Sequence, residues 1–218
     1  MRVLTICSTK GGVGKSTLAT NLAVAAVKKY LEVVIVDTDV QGTCTIFRGL
    51  RESDDIPVVQ VVTATSHRDL ERLFRSMDLV IIDAGGRDNP TLRSAMVSAD
   101  MILIPCLPSI IDYRAVGTTV DIARTITENS STSVHMVLNQ AAEGTHLKRD
   151  AEKGLAEYKD TAPLLDTKIH SRVVYRHALE EGKGVLEYEP KGKAAKEIMS
   201  LFEELLGHGL LQKKADNV

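Results

Sequence analysis

Two lysines flank a cluster of glycines in Lys10-Gly11-Gly12-Val13-Gly14-Lys15-Ser16-Thr17, directly after the apolar stretch Val3-Leu4-Thr5-Ile6-Cys7. Glycines let a backbone turn tightly enough for successive N–H groups to face one concavity, which suits an anion. A helix starting near Ser16 adds the positive end of its dipole to the same spot. Lys15 is then placed to reach the β- and γ-phosphates of a nucleotide, and the Ser16 hydroxyl to hold Mg²⁺. Lys10 stands at the front of the loop, where it can reach a second phosphate cluster. The general phosphate-loop pattern G-x-x-x-x-G-K-[ST] fails by one residue, because Thr9 occupies its first glycine position. The run fits the variant K-G-G-x-G-K-[ST].

Two more runs end in acid. Val33-Val34-Ile35-Val36 leads into Asp37-Thr38-Asp39-Val40-Gln41-Gly42-Thr43, and Asp78-Leu79-Val80-Ile81-Ile82 leads into Asp83-Ala84-Gly85-Gly86-Arg87. A carboxylate at the end of a buried strand is costly unless positive charge meets it. Mg²⁺ on a triphosphate supplies that charge, so Asp83 and Asp37 are expected beside the metal. Asp39 is expected nearer the attacking water, to polarise it or accept its proton. Gly85 and Gly86 leave backbone amides free to sense a γ-phosphate. Asn139 follows the strand-like run Val134–Leu138, and its amide can both donate to and accept from an adenine edge.

These groups need strands and helices to hold them. Strands are expected at Val3–Cys7, Val33–Val36, Val58–Val62, Leu79–Ile82, Met101–Cys106, Val134–Leu138 and about Leu164–Ile169. Most are unbroken apolar runs, as in strands covered on both faces. Helical spacing appears in Leu70, Leu73, Phe74 and Met77, again in Tyr113, Val116, Val120, Ala123 and Ile126, and in a broad late stripe of Ala195, Ile198, Met199, Phe202, Leu205 and Leu206. The late stripe is expected to pack on the sheet. Alternation of this kind predicts an α/β fold, with a doubly wound, mostly parallel sheet and ligands at the carboxyl ends of the strands. No internal repeat, low-complexity linker or second domain is apparent, so residues 1–218 are expected to form one domain.

Bulk properties exclude several classes. A net charge of −2 is no general attraction for nucleic acid, so any DNA contact needs a local patch. Cys7, Cys44 and Cys106 are scattered and lack C-x-x-C spacing, which points to a reducing cytoplasm rather than a disulfide framework or zinc site. No apolar run approaches a membrane span, and the chain enters a strand at once, without a signal peptide.

Taken together, the motifs resemble the ParA/MinD class of P-loop ATPases, especially the small partition ATPases without an N-terminal helix-turn-helix domain. The resemblance also covers Ile102–Ser109 and Glu181-Gly182-Lys183-Gly184-Val185. It departs at Val40, where the class usually has proline, and at Ala84-Gly85-Gly86-Arg87. The resemblance implies an ATP- and Mg²⁺-dependent ATPase that forms a face-to-face homodimer, with Lys10 of each copy on the nucleotide of the other. It implies non-specific binding to double-stranded DNA, location on the nucleoid, and a ParB-like or other small adaptor that stimulates hydrolysis through Asp39. Plasmids, chromosomes or protein bodies are possible cargo.

For DNA, the late region offers Arg172, Arg176, Lys193 and Lys196, with Arg172 and Arg176 on one helix face if that stretch is helical. Glu180, Glu181, Glu187 and Glu189 interleave, so a merely solvated face is the counter-expectation. Two other functions fit the scaffold. A MinD-like membrane ATPase needs a basic amphipathic tail, whereas Gly207–Lys214 is short and broken by glycine. A metabolic enzyme, such as a carboxylate–amine ligase or an iron–sulfur reductase, needs a substrate pocket or paired cluster cysteines.

Overall fold

The computed structural model describes residues 1–61, 63, 67–143 and 147–212. Seven strands form one parallel sheet: β1 (Arg2–Ile6), β2 (Val33–Asp37), β3 (Val58–Gln60), β4 (Leu79–Asp83), β5 (Met101–Cys106), β6 (Ser133–Ala141) and β7 (Leu164–His170). The helices between and after them are α1 (Lys15–Lys28), α2 (Thr43–Leu50), α3 (His67–Phe74), α4 (Pro90–Val97), α5 (Ile110–Thr127), α6 (Leu147–Gly154), α7 (Val174–Glu180), α8 (Val185–Tyr188) and α9 (Lys193–Gly207). The expected strands are present within a residue or two, except that β6 runs on to Ala141. Val62, the expected end of β3, lies outside the described residues, as do Lys213 and Lys214 of the tail.

Side-chain alternation splits the interior into two layers. Leu4, Ile6, Ile35, Ile81 and Leu103 face α1 and α9, while Val3, Val34, Val80, Ile82 and Ile102 face the side of α4 and α5. Both sets are buried, which is why the strands read as unbroken apolar runs. Each fully buried Leu or Ile contributes about 2 kcal/mol from removal of apolar surface. The late stripe is α9, whose Ala195, Ile198, Phe202 and Leu205 sit in the first layer. Among the described residues no helix is long and apolar enough to cross a membrane.

Strand order is β3-β2-β4-β1-β5-β6-β7. From β1 the chain winds one way through β2, β3 and β4, then crosses to β5 on the other flank. A crevice opens at such a switch point, at the carboxyl end of β1. Register does the rest. Ile6 pairs with Asp83, and Asp37 pairs with Asp83, so the two acids and the end of β1 lie level on three neighbouring strands.

Arg51, just past α2, locks the late segment onto this frame. Its buried guanidinium binds Asp55 and Glu187 with paired hydrogen bonds of 2.7–2.9 Å and donates to Gly182 O at 3.0 Å. Gly182 has φ +64°, and a Cβ there would fall 2.4 Å from Arg51 N. Val185 N donates to Asn21 Oδ1 at 2.8 Å, joining the same segment to α1.

Candidate nucleotide site

The loop between β1 and α1 is held open by its glycines and buttressed from two sides. Gly12 (φ +75°) and Gly14 (φ +87°) lie in the left-handed region. A Cβ on Gly14 would fall 2.3 Å from Asn139 Nδ2. No side chain caps the start of α1 and its first turn carries no acid, so its free N–H groups remain available to an anion. From β6, Asn139 Nδ2 donates to Val13 O at 2.7 Å and Gln140 Nε2 to Gly12 O at 2.9 Å. From α5, Thr119 Oγ1 accepts from Thr9 N at 3.0 Å. Thr9, the residue that breaks the general pattern, thus anchors the entrance of the loop.

Lys15 is buried, and its ammonium donates to Lys10 O at 3.4 Å. The Lys10 ammonium pairs with Asp112 in the first turn of α5. A Cβ on Gly86 would lie 3.4 Å from Gly11 N and 3.5 Å from Lys15 Nζ. The loop after β4 thus packs directly against the front of the phosphate loop.

Asp37 and Asp83 are both fully buried at the floor. Asp37 accepts from Asp39 N at 3.1 Å, from Thr45 N at 3.0 Å and from Thr45 Oγ1 at 3.2 Å. Asp83 accepts from Cys44 Sγ at 3.3 Å and lies beside Ser16 in the first turn of α1. Burial, reinforced by the charge of Asp37, raises its pKa to about 6 against the opposing pull of Ser16, Cys44 and Lys15. The Cys44 thiol is pushed well above its ordinary value by burial and then by Asp83 and Asp37, so it stands as a neutral donor and not a thiolate. Ser16, Asp37 and Asp83 thus form a hard-oxygen set suited to Mg²⁺. Among the described residues no group of three or more His, Cys, Asp or Glu side chains could hold a metal by itself. Mg²⁺ needs none, since one or two carboxylates suffice beside phosphate and water oxygens.

Asp39 lies beyond the strand, half-exposed in a turn where its Oδ1 accepts from Gln41 N at 2.9 Å. An open cleft of about 670 Å³, solvent included, lies beside the loop. Gly14, Thr17, Asn139, Gln140, Tyr175 and Arg176 are among the residues lining it. Asn139 therefore borders the cleft while its N–H is committed to the loop.

The description of the CobQ/CobB/MinD/ParA nucleotide binding domain matches residues 4–185. The chain belongs to this family. It is 29% identical over 209 residues to the maintenance of carboxysome distribution protein A of Halothiobacillus neapolitanus, across 93% of this chain and 95% of that one. Its fold is similar to the septum site-determining protein MinD of Pyrococcus horikoshii, solved with Mg-ADP (TM-score 0.74, 20% identity, 98% and 99% of the two chains). It is also similar to Cyanothece McdA, solved as an Asp-to-Ala variant with ATP (TM-score 0.75, 17% identity, 99% of each chain).

Within this ParA/MinD-family fold, the four basic residues named for DNA are not equivalent. Arg172 precedes α7, so it does not share a helix face with Arg176. Its guanidinium is held by Glu197 at 2.6 Å and Glu143 at 2.9 Å, and Lys193 also pairs with Glu143, at 3.0 Å. Arg176 and Lys196 are exposed and have no ion pair among the described residues. Sequence reasoning missed Asp112, Thr119, Gln140, Cys44 and Thr45. A polar residue directly after Asn139 is the one local signal, and Gln140 stands there at φ +53°, off the regular alternation of the strand.

Proposed function

We propose that the protein is an ATP-switched positioning ATPase. It pairs with a second copy when it holds ATP, binds duplex DNA without sequence preference in that form, and spaces cargo through cycles of hydrolysis stimulated by an adaptor. One observation carries this reading. A glycine loop with a second lysine at its front stands at the end of β1, level with two buried carboxylates on the adjoining strands. The similarity to a carboxysome distribution protein supports a positioning role. The relatives solved with Mg-ADP and with ATP support the choice of ligand.

In this mechanism the N–H groups of Gly11 to Thr17 bind phosphate oxygens, and Lys15 neutralises the β- and γ-phosphates. Ser16, Asp37 and Asp83 hold Mg²⁺, which when bound neutralises phosphate charge. Asp39 orients the attacking water and accepts its proton, while Asn139 borders the base. Lys10 reaches the nucleotide of the other copy. Such chemistry needs positioning and charge stabilisation more than covalent participation. The apolar stripe of α9 is used on the sheet, so that helix offers no free apolar stripe to a lipid surface.

Size measurement with ATP and Mg²⁺ tests the proposal. The wild type is expected to pair. Lys15→Ala stays single, Lys10→Ala keeps some nucleotide affinity without pairing, and Asp39→Ala accumulates as a pair on DNA. A Lys10→Ala chain that pairs like the wild type overturns the cross-copy role.

A further inference from the structure

Lys10 is engaged within its own chain. Its ammonium stands against Oδ1 of Asp112, with the two side chains 36% and 10% exposed. Ser109 caps α5: its Oγ accepts from Asp112 N at 3.3 Å, and its hydroxyl donates to Asp112 Oδ2. Oδ1 is buried and accepts no aligned hydrogen bond among the described residues, so the charge of Lys10 is what compensates it. Two turns along α5, Thr119 binds Thr9. One helix therefore holds the entrance of the loop twice, by a backbone hydrogen bond and by an ion pair.

We infer that Asp112 is a positioning residue that competes with nucleotide for Lys10, and so sets the ATP level at which two copies pair. The inference rests on the cross-copy role proposed for Lys10. Two effects act in the same direction. Withdrawal of the ammonium leaves a buried carboxylate oxygen without a partner, which is costly. The same carboxylate repels a triphosphate brought up by a second copy. Pairing must overcome both. Asparagine at this position keeps the shape and an acceptor for Ser109, and removes both penalties.

The test compares wild type, Asp112→Asn, Lys10→Ala and the double variant by sedimentation equilibrium over an ATP–Mg²⁺ series. A partly exposed ion pair shifts an equilibrium about fivefold. With one pair in each copy, Asp112→Asn is expected to tighten the dimer by about 25-fold. In the Lys10→Ala background, which lacks the ammonium that pairing needs, it is expected to restore no dimer. Without nucleotide, an amine-acylating reagent read by mass spectrometry is expected to label Lys10 faster in Asp112→Asn. Asp112→Ser, which keeps a capping hydroxyl in the first turn, serves if the asparagine variant does not fold.

Unchanged or weaker pairing, or equal labelling of Lys10, overturns the competition. If Lys10→Ala meanwhile fails to pair, the cross-copy role of Lys10 stands and only the competition falls. If Lys10→Ala pairs normally, both fall.

Discussion

His135 is a buried group that the nucleotide chemistry does not use. It lies on β6, and neither ring nitrogen has a hydrogen-bond partner among the described residues. His208 stacks at a tilt beside it, with centroids 4.6 Å apart. Burial, with a smaller push from His208 against the pull of Glu204, lowers its pKa from 6.5 to about 4. Between those values an unfolded chain binds the proton and the folded chain does not. Stability therefore rises with pH across that window and is lost as pH falls through it. Urea unfolding from pH 7 to pH 4 is expected to show about 2 kcal/mol of this loss. His135→Phe is expected to flatten that part of the profile. Histidine in an apolar run gave no sequence signal for its neighbour, because His208 arrives from the far end of the chain.

At the scale of elements, the tip of β6 decides the shape of the phosphate loop. Val13 O receives its hydrogen bond from Asn139, and Gly12 O from Gln140. Asn139→Ala leaves a carbonyl without its partner, and is expected to cost about 1–2 kcal/mol in thermal unfolding. ATP affinity is expected to fall with it. Gln140 is exposed, so Gln140→Ala should fall less on both measures.

The strands and the amphipathic stretches of α5 and α9 were legible, because burial on two faces or on one stripe leaves a periodic mark. Leu70–Met77 was legible in part, since α3 ends at Phe74 and Leu73 is exposed. The glycine loop and the acids were legible for the same local reason: their spacing is contiguous. Asp112, Thr119 and the commitment of Asn139 were not, since they meet the loop across about a hundred residues of chain. The start of α7 after Arg172 was also hidden. So was the pairing of Arg172 and Lys193 with Glu143 and Glu197, because charges interleaved in sequence do not say which of them meet.

For the whole molecule, charge sets the terms of DNA binding. A chain of net charge −2 has little general attraction for phosphate, and two of its four named cations are already engaged by carboxylates. Arg176 and Lys196 are left to act, and pairing doubles them. DNA retention is therefore expected only with ATP, and is expected to fall steeply with salt. In a filter-binding salt series, Arg176→Ala and Lys196→Ala should each reduce the slope of log K against log salt by about 1 per lost phosphate contact. Retention that is equal with and without ATP would contradict the proposal.

The central strand has a final consequence, at the ribosome. β1 is made first, yet its two neighbours in the sheet, β4 and β5, end only at Asp83 and Cys106. The first strand has no partner until Asp83 has been made, and its other edge stays open until Cys106, roughly half of the polypeptide. Such distant pairings fold slowly and leave apolar strands exposed during synthesis. A nascent chain of this design is expected to shelter both edges of its first strand only once Cys106 has been made.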